Sequence, residues 1–477
     1  MTRVFLTVIF AVCLIVAASQ TFPIVPELLN HPHPPQPPVF SWYMTPFYTY
    51  FSYAAGSGGD PASDAIAVAG YKHDIQDAQA SGVDGFALYI GNQQYLYTNT
   101  RNMFEAAKEL HNADPSKPPF LLFLAPENGA AGDVAQIFPG TSTNWMVYFM
   151  NAFAAHPNYY HYQGKAVLGS FLGLDQQSDW VAKVFTPLHN QGIDVFFVPS
   201  VFDANAVTTD GTHFNAWAQA NIGSLTFWTG DVPGNDIGAT NSLANINQVN
   251  SKLVVVNLGG ANYWSVNNSA SAGVYFEHNG GEGPDQEWRN AISLNPIFII
   301  ETTWNDYTES YTTPVDIPNV PTIGTGYKIE QLLKPHAGYN ELRKRYAQWY
   351  KTGVQPTVTK DLLIYFYRTH AKNLVASSDT RVTTFNPDTS GETVPDDLFV
   401  TTELTAPATL RVTTGGVVTT YSMPAGVTFT RIPFSAGAQT FEVIRGDVTT
   451  ISTSGEAILS SITEYNYEYT TGFAYAD

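Results

Sequence analysis

Asp306 and Glu309 stand three residues apart in the run Trp304-Asn305-Asp306-Tyr307-Thr308-Glu309-Ser310, directly after the apolar stretch Pro296-Ile297-Phe298-Ile299-Ile300. Two carboxyl groups facing one acetal can cleave it, one giving a proton to the leaving oxygen and the other activating water or attacking the ring carbon, and aromatic faces stack on pyranose rings. The segment therefore reads as a site for breaking glycosidic bonds at the end of a buried strand. An Asp followed three residues later by a Glu can also cap a helix starting at Tyr307, but the adjoining Trp and Asn at a strand end favour catalysis. Trp304 would then be a wall of the site and Asn305 a hydrogen-bond partner for a sugar hydroxyl.

The spacing leaves the stereochemistry open. Inverting enzymes hold their carboxyl groups about 6.5–9.5 Å apart and retaining ones about 5–5.5 Å, and side chains three apart on a loop reach either. The proton donor needs the less solvated position and the base the more exposed one. The longer arm of Glu309 favours it as donor and Asp306 as base. Other chemistries lack their residues. The 11 His form no HExxH pair and no acidic run has calcium-loop spacing. Neither a G-x-S-x-G elbow nor a nucleotide fingerprint occurs, so no metal and no cofactor is expected.

Such a pair must be positioned by a rigid frame. Near-continuous apolar runs, which indicate strands buried on both faces, fall at about 39–44, 84–90, 119–125, 165–171, 193–198, 222–228, 252–257 and 296–301. Helical segments lie between them, and eight such units over about 300 residues predict an α/β (β/α)8 barrel. In a barrel, function gathers just past the strand ends. Tyr43, Trp228, Tyr263 and Trp264 are therefore expected sugar platforms, and Glu127 is expected to line the site. Glu301, within the last strand, is expected to point into the barrel as a supporting group. A helix is expected over 329–350.

Residues 1–19 have a charged start, a short apolar middle and a small-residue end, and read as a signal peptide; 20–38 are a Pro-rich lead-in in which His31 and His33 are solvated. The barrel is assigned to 39–355. Residues 356–477, rich in Thr, Val and turn signals, are assigned to an antiparallel β-sandwich. The only cysteine, Cys13, falls in the leader, so secretion without disulfides is expected. With 22 Lys+Arg against 41 Asp+Glu the net charge is −19, which disfavours nucleic acid and anionic membrane as partners. Aromatic residues at 14% suit a neutral polysaccharide substrate. The sequon Asn267-Asn268-Ser269 is compatible with secretion. A monomer is expected.

At the level of motifs the chain resembles the fungal α-1,3-glucanases, or mutanases, of glycoside hydrolase family 71. The signature of that family reads Trp-Asn-Asp-Tyr-Gly-Glu-Ser, matched here except at Thr308. Further matches, in order, are His156-Pro157-Asn158-Tyr159-Tyr160 before Gly164-Lys165, then Val198-Pro199-Ser200, Asp210-Gly211 before Asn215-Ala216-Trp217, and Asp361 to Arg368. The first strand lacks the His usual in that family, and Glu127 stands where its third strand tends to end in Asp. The resemblance implies a secreted barrel hydrolase acting on α-1,3-glucan with inversion, probed by Asp306 and Glu309 as the acid pair. Alternatives are a barrel hydrolase of another α-linked polymer, such as an endo-mannosidase, and a non-catalytic carbohydrate-binding wall protein.

Overall fold

In the computed structural model the apolar runs become parallel strands. Described are residues 34–50, 59–126, 134–171, 177–201, 223, 226–227, 255–259, 263–265, 273–307, 309–315, 333–379, 383–386 and 394–476. The strands are β1 (Val39–Met44), β2 (Gly85–Ile90), β3 (Leu121–Pro126), β4 (Lys165–Phe171), β5 (Val195–Val201), β6 (Thr226–Phe227), β7 (Val255–Gly259) and β8 (Phe298–Thr302). They hydrogen-bond in the order β6-β5-β4-β3-β2-β1-β8-β7, and a short antiparallel strand, His161–Tyr162, leans on β4. Every consecutive pair along this path is parallel, with Val39 opposite Ile299 and Phe40 opposite Gly85 setting the register around β1. The order is that of a cycle opened between β6 and β7. The strands are apolar on both faces because both are covered, as their burial shows. Gly85 is required by close packing: a Cβ there would sit 2.2 Å from the Leu121 carbonyl and 2.5 Å from the Phe40 ring.

Among the described residues, helices return the chain between several of the strands. The first, α1 (Pro61–Ala80), starts where the Asp60 side chain accepts from the amides of Ala62 and Ser63 and Pro61 opens the first turn. It presents Ala67, Tyr71, Asp74, Ile75 and Ala78 to the sheet, an i, i+4, i+7 stripe that contains one carboxylate. The others used below are α2 (Gln94–Ala113), α3 (Trp145–Phe153, capped by Asn144), α4 (Glu282–Leu294) and α5 (Ala337–Thr352). The last begins eight residues after its expected start, behind His336, and stops at Gly353, whose φ of 68° is left-handed.

The C-terminal part is antiparallel. One sheet runs β13-β10-β9-β16 and the other β12-β11-β14-β15, from β9 (Leu362–Arg368), β10 (Asp397–Leu404), β11 (Ala408–Thr414), β12 (Val417–Met423), β13 (Gly426–Pro433), β14 (Gly437–Arg445), β15 (Val448–Ile458) and β16 (Tyr469–Tyr475). The alternation of a strand assigns its two faces to two cores. Leu363, Tyr365 and Tyr367 of β9 meet the second sheet, whereas Leu362, Ile364 and Phe366 join the core of the parallel half. The two halves meet closely. Gly280, at φ 58°, leaves room for Phe399, whose Cβ would be 2.3 Å from an added Cβ. Arg431 on β13 grips Glu282 of α4 with both oxygens within 3.1 Å. Beyond β7, Tyr263–Ser265 pairs antiparallel with Gly273–Phe276, which pairs parallel with Thr383–Asn386 of the C-terminal part.

Candidate active site

The segment after β8 is a cross-braced loop whose threonines do the bracing. The Trp304 amide continues the β1 ladder by donating to the Trp42 carbonyl at 2.8 Å. Thr303 Oγ1 accepts from the Asp306 amide at 2.8 Å and donates to the Ser310 carbonyl at 2.6 Å. Thr312 and Thr313 close the base of the loop, their hydroxyls donating to the carbonyls of Thr303 and Trp304 at 3.0 and 2.6 Å. The Glu309 amide donates to the Asp306 carbonyl at 3.1 Å, so both acids sit on one tight turn at the tip. Thr302 and Thr303 are joined by a cis peptide bond.

The tip is unevenly buried. Asp306 is 6% exposed, while Glu309 is half-buried. Burial therefore favours Asp306 as the less solvated carboxyl, the reverse of the division suggested by arm length.

The residues that flank the pair are structural. Trp304 is fully buried, 5.6 Å from Phe86 ring to ring, with its indole N–H donating to Asp74 Oδ1 at 3.0 Å; it is not a sugar wall. Asn305 is fully buried and its amide is spent. Its Oδ1 accepts from the Met44 amide at 2.7 Å and its Nδ2 donates to the carbonyls of Met44 and Phe47, each at 3.1 Å. It ties the β1 loop to the acidic loop and cannot serve a sugar hydroxyl. Tyr43 is also buried, and its hydroxyl donates to Asp74 Oδ2 at 2.9 Å. Alternation sends Tyr43 outward to α1, so it is no platform. Glu301 also points outward: its carboxylate is bound by the Arg343 guanidinium of α5, with Nε at 3.0 Å from Oε1, instead of entering the sheet's inner face. That guanidinium lies 6.0 Å from the Trp304 ring centroid and also reaches Ser81 and Asn340.

Glu127 and Trp228 lie outside the described residues. Tyr263 and Trp264 belong to the short strand that follows the carboxyl end of β7, the neighbour of β8, which puts their backbone on the same rim as the acidic loop.

Three residues that the sequence does not assign to the site hold this loop, among them Arg343, which lies in a charge cluster expected to be a solvated face but is 1% exposed. Asp74 is fully buried and collects hydrogen bonds from Trp304, Thr49 and Tyr43; burial pushes its carboxyl up to about 7 against the lowering effect of those donors. Arg343 supports Trp304 from α5. His336 is buried against Tyr311, with rings stacked at 4.3 Å and its Nδ1 2.6 Å from the Tyr311 carbonyl. Its Nε2 lies 3.4 Å from Glu468 of the C-terminal part. The signal for the first two was a charged residue on an otherwise apolar helical stripe: Asp74 between Tyr71 and Ala78, and Arg343 between Tyr339 and Tyr346.

Among the described residues no cluster of His, Cys, Asp and Glu could hold a metal ion, and no helix is long and apolar enough to cross a membrane. Residues 62–476 match the sequence profile of the family described as Glycosyl hydrolase family 71. A glucan endo-1,3-alpha-glucosidase of Schizosaccharomyces pombe is 27% identical over 425 residues, covering 86% of this chain and 91% of that protein. A mutanase of Penicillium rubens is 27% identical over 412 residues, 84% of each chain. Among solved structures, an endo-alpha-mannosidase from Bacteroides thetaiotaomicron aligns at 14% identity with a TM-score of 0.45, covering 68% of this chain and 100% of that one.

Proposed function

Because the chain belongs to glycosyl hydrolase family 71, we propose that it hydrolyses α-1,3-glucosidic bonds in a glucan polymer, with Asp306 and Glu309 as its acid and base. It is a glycoside hydrolase by family, and its substrate is a polysaccharide. The observation that supports the acid pair is the loop after β8, whose braced tip holds Asp306 and Glu309 together on one turn just past the carboxyl end of the strand.

The parallel sheet closes between β6 and β7 into a (β/α)8 barrel, which puts the acidic loop on the carboxyl rim where barrel enzymes keep their chemistry. The two antiparallel sheets form a β-sandwich domain starting near residue 356. The leader at 1–19 directs secretion, and the enzyme acts outside the cell as an endo-hydrolase on wall or extracellular glucan. The cleavage inverts the anomeric carbon, water entering opposite the leaving oxygen. Tyr263, Trp264, Glu127 and Trp228 are assigned to the substrate path from the sequence.

Release of reducing ends from insoluble α-1,3-glucan is the direct test, with α-mannan as the competing substrate. Asp306→Asn and Glu309→Gln should each lower kcat by about 10²–10⁴-fold, the usual cost of losing a positioned proton-transfer group. A substrate with a good leaving group restores the donor variant and not the base variant, which assigns the two roles. Wild-type-like turnover by both variants would remove the pair from the mechanism, and preferential cleavage of mannan would remove the glucan assignment. The anomer released first, read by NMR, decides inversion.

A further inference from the structure

Asp74 occupies a position where an ionisable group is costly. It lies on the sheet-facing stripe of α1, has no exposed surface, and pairs with no cation among the described residues. A lone buried carboxyl is disfavoured unless hydrogen bonds replace the water it gives up. Its two oxygens receive Tyr43 Oη–H from the end of β1 at 2.9 Å and Trp304 Nε1–H from the acidic loop at 3.0 Å, and the Thr49 hydroxyl, from the segment between β1 and α1, favours its ionised form. Thr49 Oγ1 in turn meets the Tyr307 hydroxyl at 2.8 Å. A single carboxyl thus reaches both residues that bracket Asn305 and Asp306: Trp304 directly and Tyr307 through one hydroxyl.

A neutral apolar side chain would fill the same space on α1 but would leave an indole N–H and two hydroxyls unsatisfied. The charged and titratable groups around Asp74 are Asp77, Tyr71 and His73 of its own helix, Tyr43 of β1, Tyr50 beyond it and Tyr307 of the loop, with Arg343 reaching the far side of the Trp304 ring. Apart from His73, the surroundings on the α1 side are acidic or phenolic, so the carboxyl is held by donors and not by charge pairing.

We propose that Asp74 is a positioning residue for the acid pair, fixing the chord from Trp304 to Tyr307 on which Asp306 stands. This rests on the assignment of Asp306 as a reacting group. Release of either end lets the tip rotate, and misplacement of a reacting group by about 1 Å can cost on the order of 10²-fold in rate. Binding of the polymer, made by other residues, is expected to be unaffected.

The test is kcat and KM on a soluble α-1,3-gluco-oligosaccharide for Asp74→Ala, Asp74→Asn and Thr49→Val, with Asp306→Asn alongside. Asp74→Ala should lower kcat by roughly 10–10²-fold with KM within about threefold of wild type. Asp74→Asn should restore most of the loss, because its carbonyl oxygen accepts from Trp304 and its amide donates to the Tyr43 oxygen. Thr49→Val, nearly isosteric, breaks the Tyr307 branch alone and should give a smaller fall in kcat at constant KM; it carries the test if Asp74→Ala does not fold. The proposal is overturned if folded Asp74→Ala, or Thr49→Val in its place, turns over like wild type, or if Asp74→Asn is no better than Asp74→Ala. If Asp306→Asn is itself fully active, the acid-pair assignment fails instead.

Discussion

The acidic loop is gripped at two ends by different chemistry. At its start Trp304 is held within the parallel half, by Asp74 of α1 and by the Arg343 guanidinium beside its ring. At its end Tyr311 is held from the C-terminal side. Its hydroxyl donates to the Lys334 carbonyl at 3.0 Å and accepts from the Lys334 amide at 2.8 Å, its ring stacks on His336, and Lys334 is paired with Glu456 of β15 at 2.6 Å. The first grip is buried and rests on ionisable groups deep in the core; the second is a backbone clamp with a surface ion pair behind it. The contrast teaches that the C-terminal sheets belong to the frame of the site, but that the deeper, more expensive anchoring lies in the parallel half.

The largest expected effect breaks the first grip. Arg343→Met would strand Glu301, which is 2% exposed, without its partner, and loss of one member of a buried pair costs about 3–5 kcal/mol. Chemical denaturation should show that loss, and the double change Glu301→Gln with Arg343→Met should recover part of it. Full recovery of stability with loss of turnover would show that the pair serves the site more than the fold.

A comparable effect should appear as a pH dependence. The Asp74 carboxyl is raised to about 7 by burial, so the folded state prefers it protonated. Its contribution to stability is complete below the ordinary carboxyl range and is lost as pH rises through about 7. At pH 8 that amounts to on the order of 4 kcal/mol relative to pH 3. Glu277, beside Arg368 at the seam between the halves, is also raised to about 7 by burial, and adds a loss of the same sign over the same window. Asp74→Asn should therefore flatten the decline between pH 5 and 8 in part, and the double change with Glu277→Gln should flatten it further. An unchanged slope in both would mean that neither carboxyl titrates there.

The smallest expected effect breaks the second grip. Tyr311→Phe leaves the Lys334 amide and carbonyl without their shared hydroxyl partner, worth about 1–3 kcal/mol if both stay buried. Thermal unfolding would register it, with kcat falling less than in Asp74→Ala. A larger kinetic effect than that of Asp74→Ala would reverse the ranking of the two grips.

Much of the frame was legible in the chain. Apolar runs of strand length, set between helices with Gly or capping residues, announced the eight parallel strands to within a few residues, because a strand covered on both faces must be apolar throughout. The C-terminal antiparallel sheets were legible from short β-rich runs and turn signals. The acidic segment was legible as a strand-end loop. What its neighbours do was not. Tyr43 and Trp304 looked like sugar platforms since both are aromatic and sit at strand ends, but the side of the strand on which each ring falls depends on register with β2 and β8 and on what α1 and α5 offer there. Asn305 looked like a sugar donor, and its amide closes instead on Met44 and Phe47, more than 250 residues away in the chain. Glu301 looked inward and turned outward because Arg343 waits on the helix side.

By itself, then, the sequence determined which segments are strands and helices, that they alternate, and that two acids share one turn after the last parallel strand, since periodicity, caps and local spacing are properties of neighbours in the chain. Only the tertiary structure decided which polar groups face each other across the packed layers. The partnership of Asp74 with Trp304, spanning 230 residues, and of His336 with Tyr311 exists because burial without water forces each donor and acceptor to find a partner wherever the fold brings one.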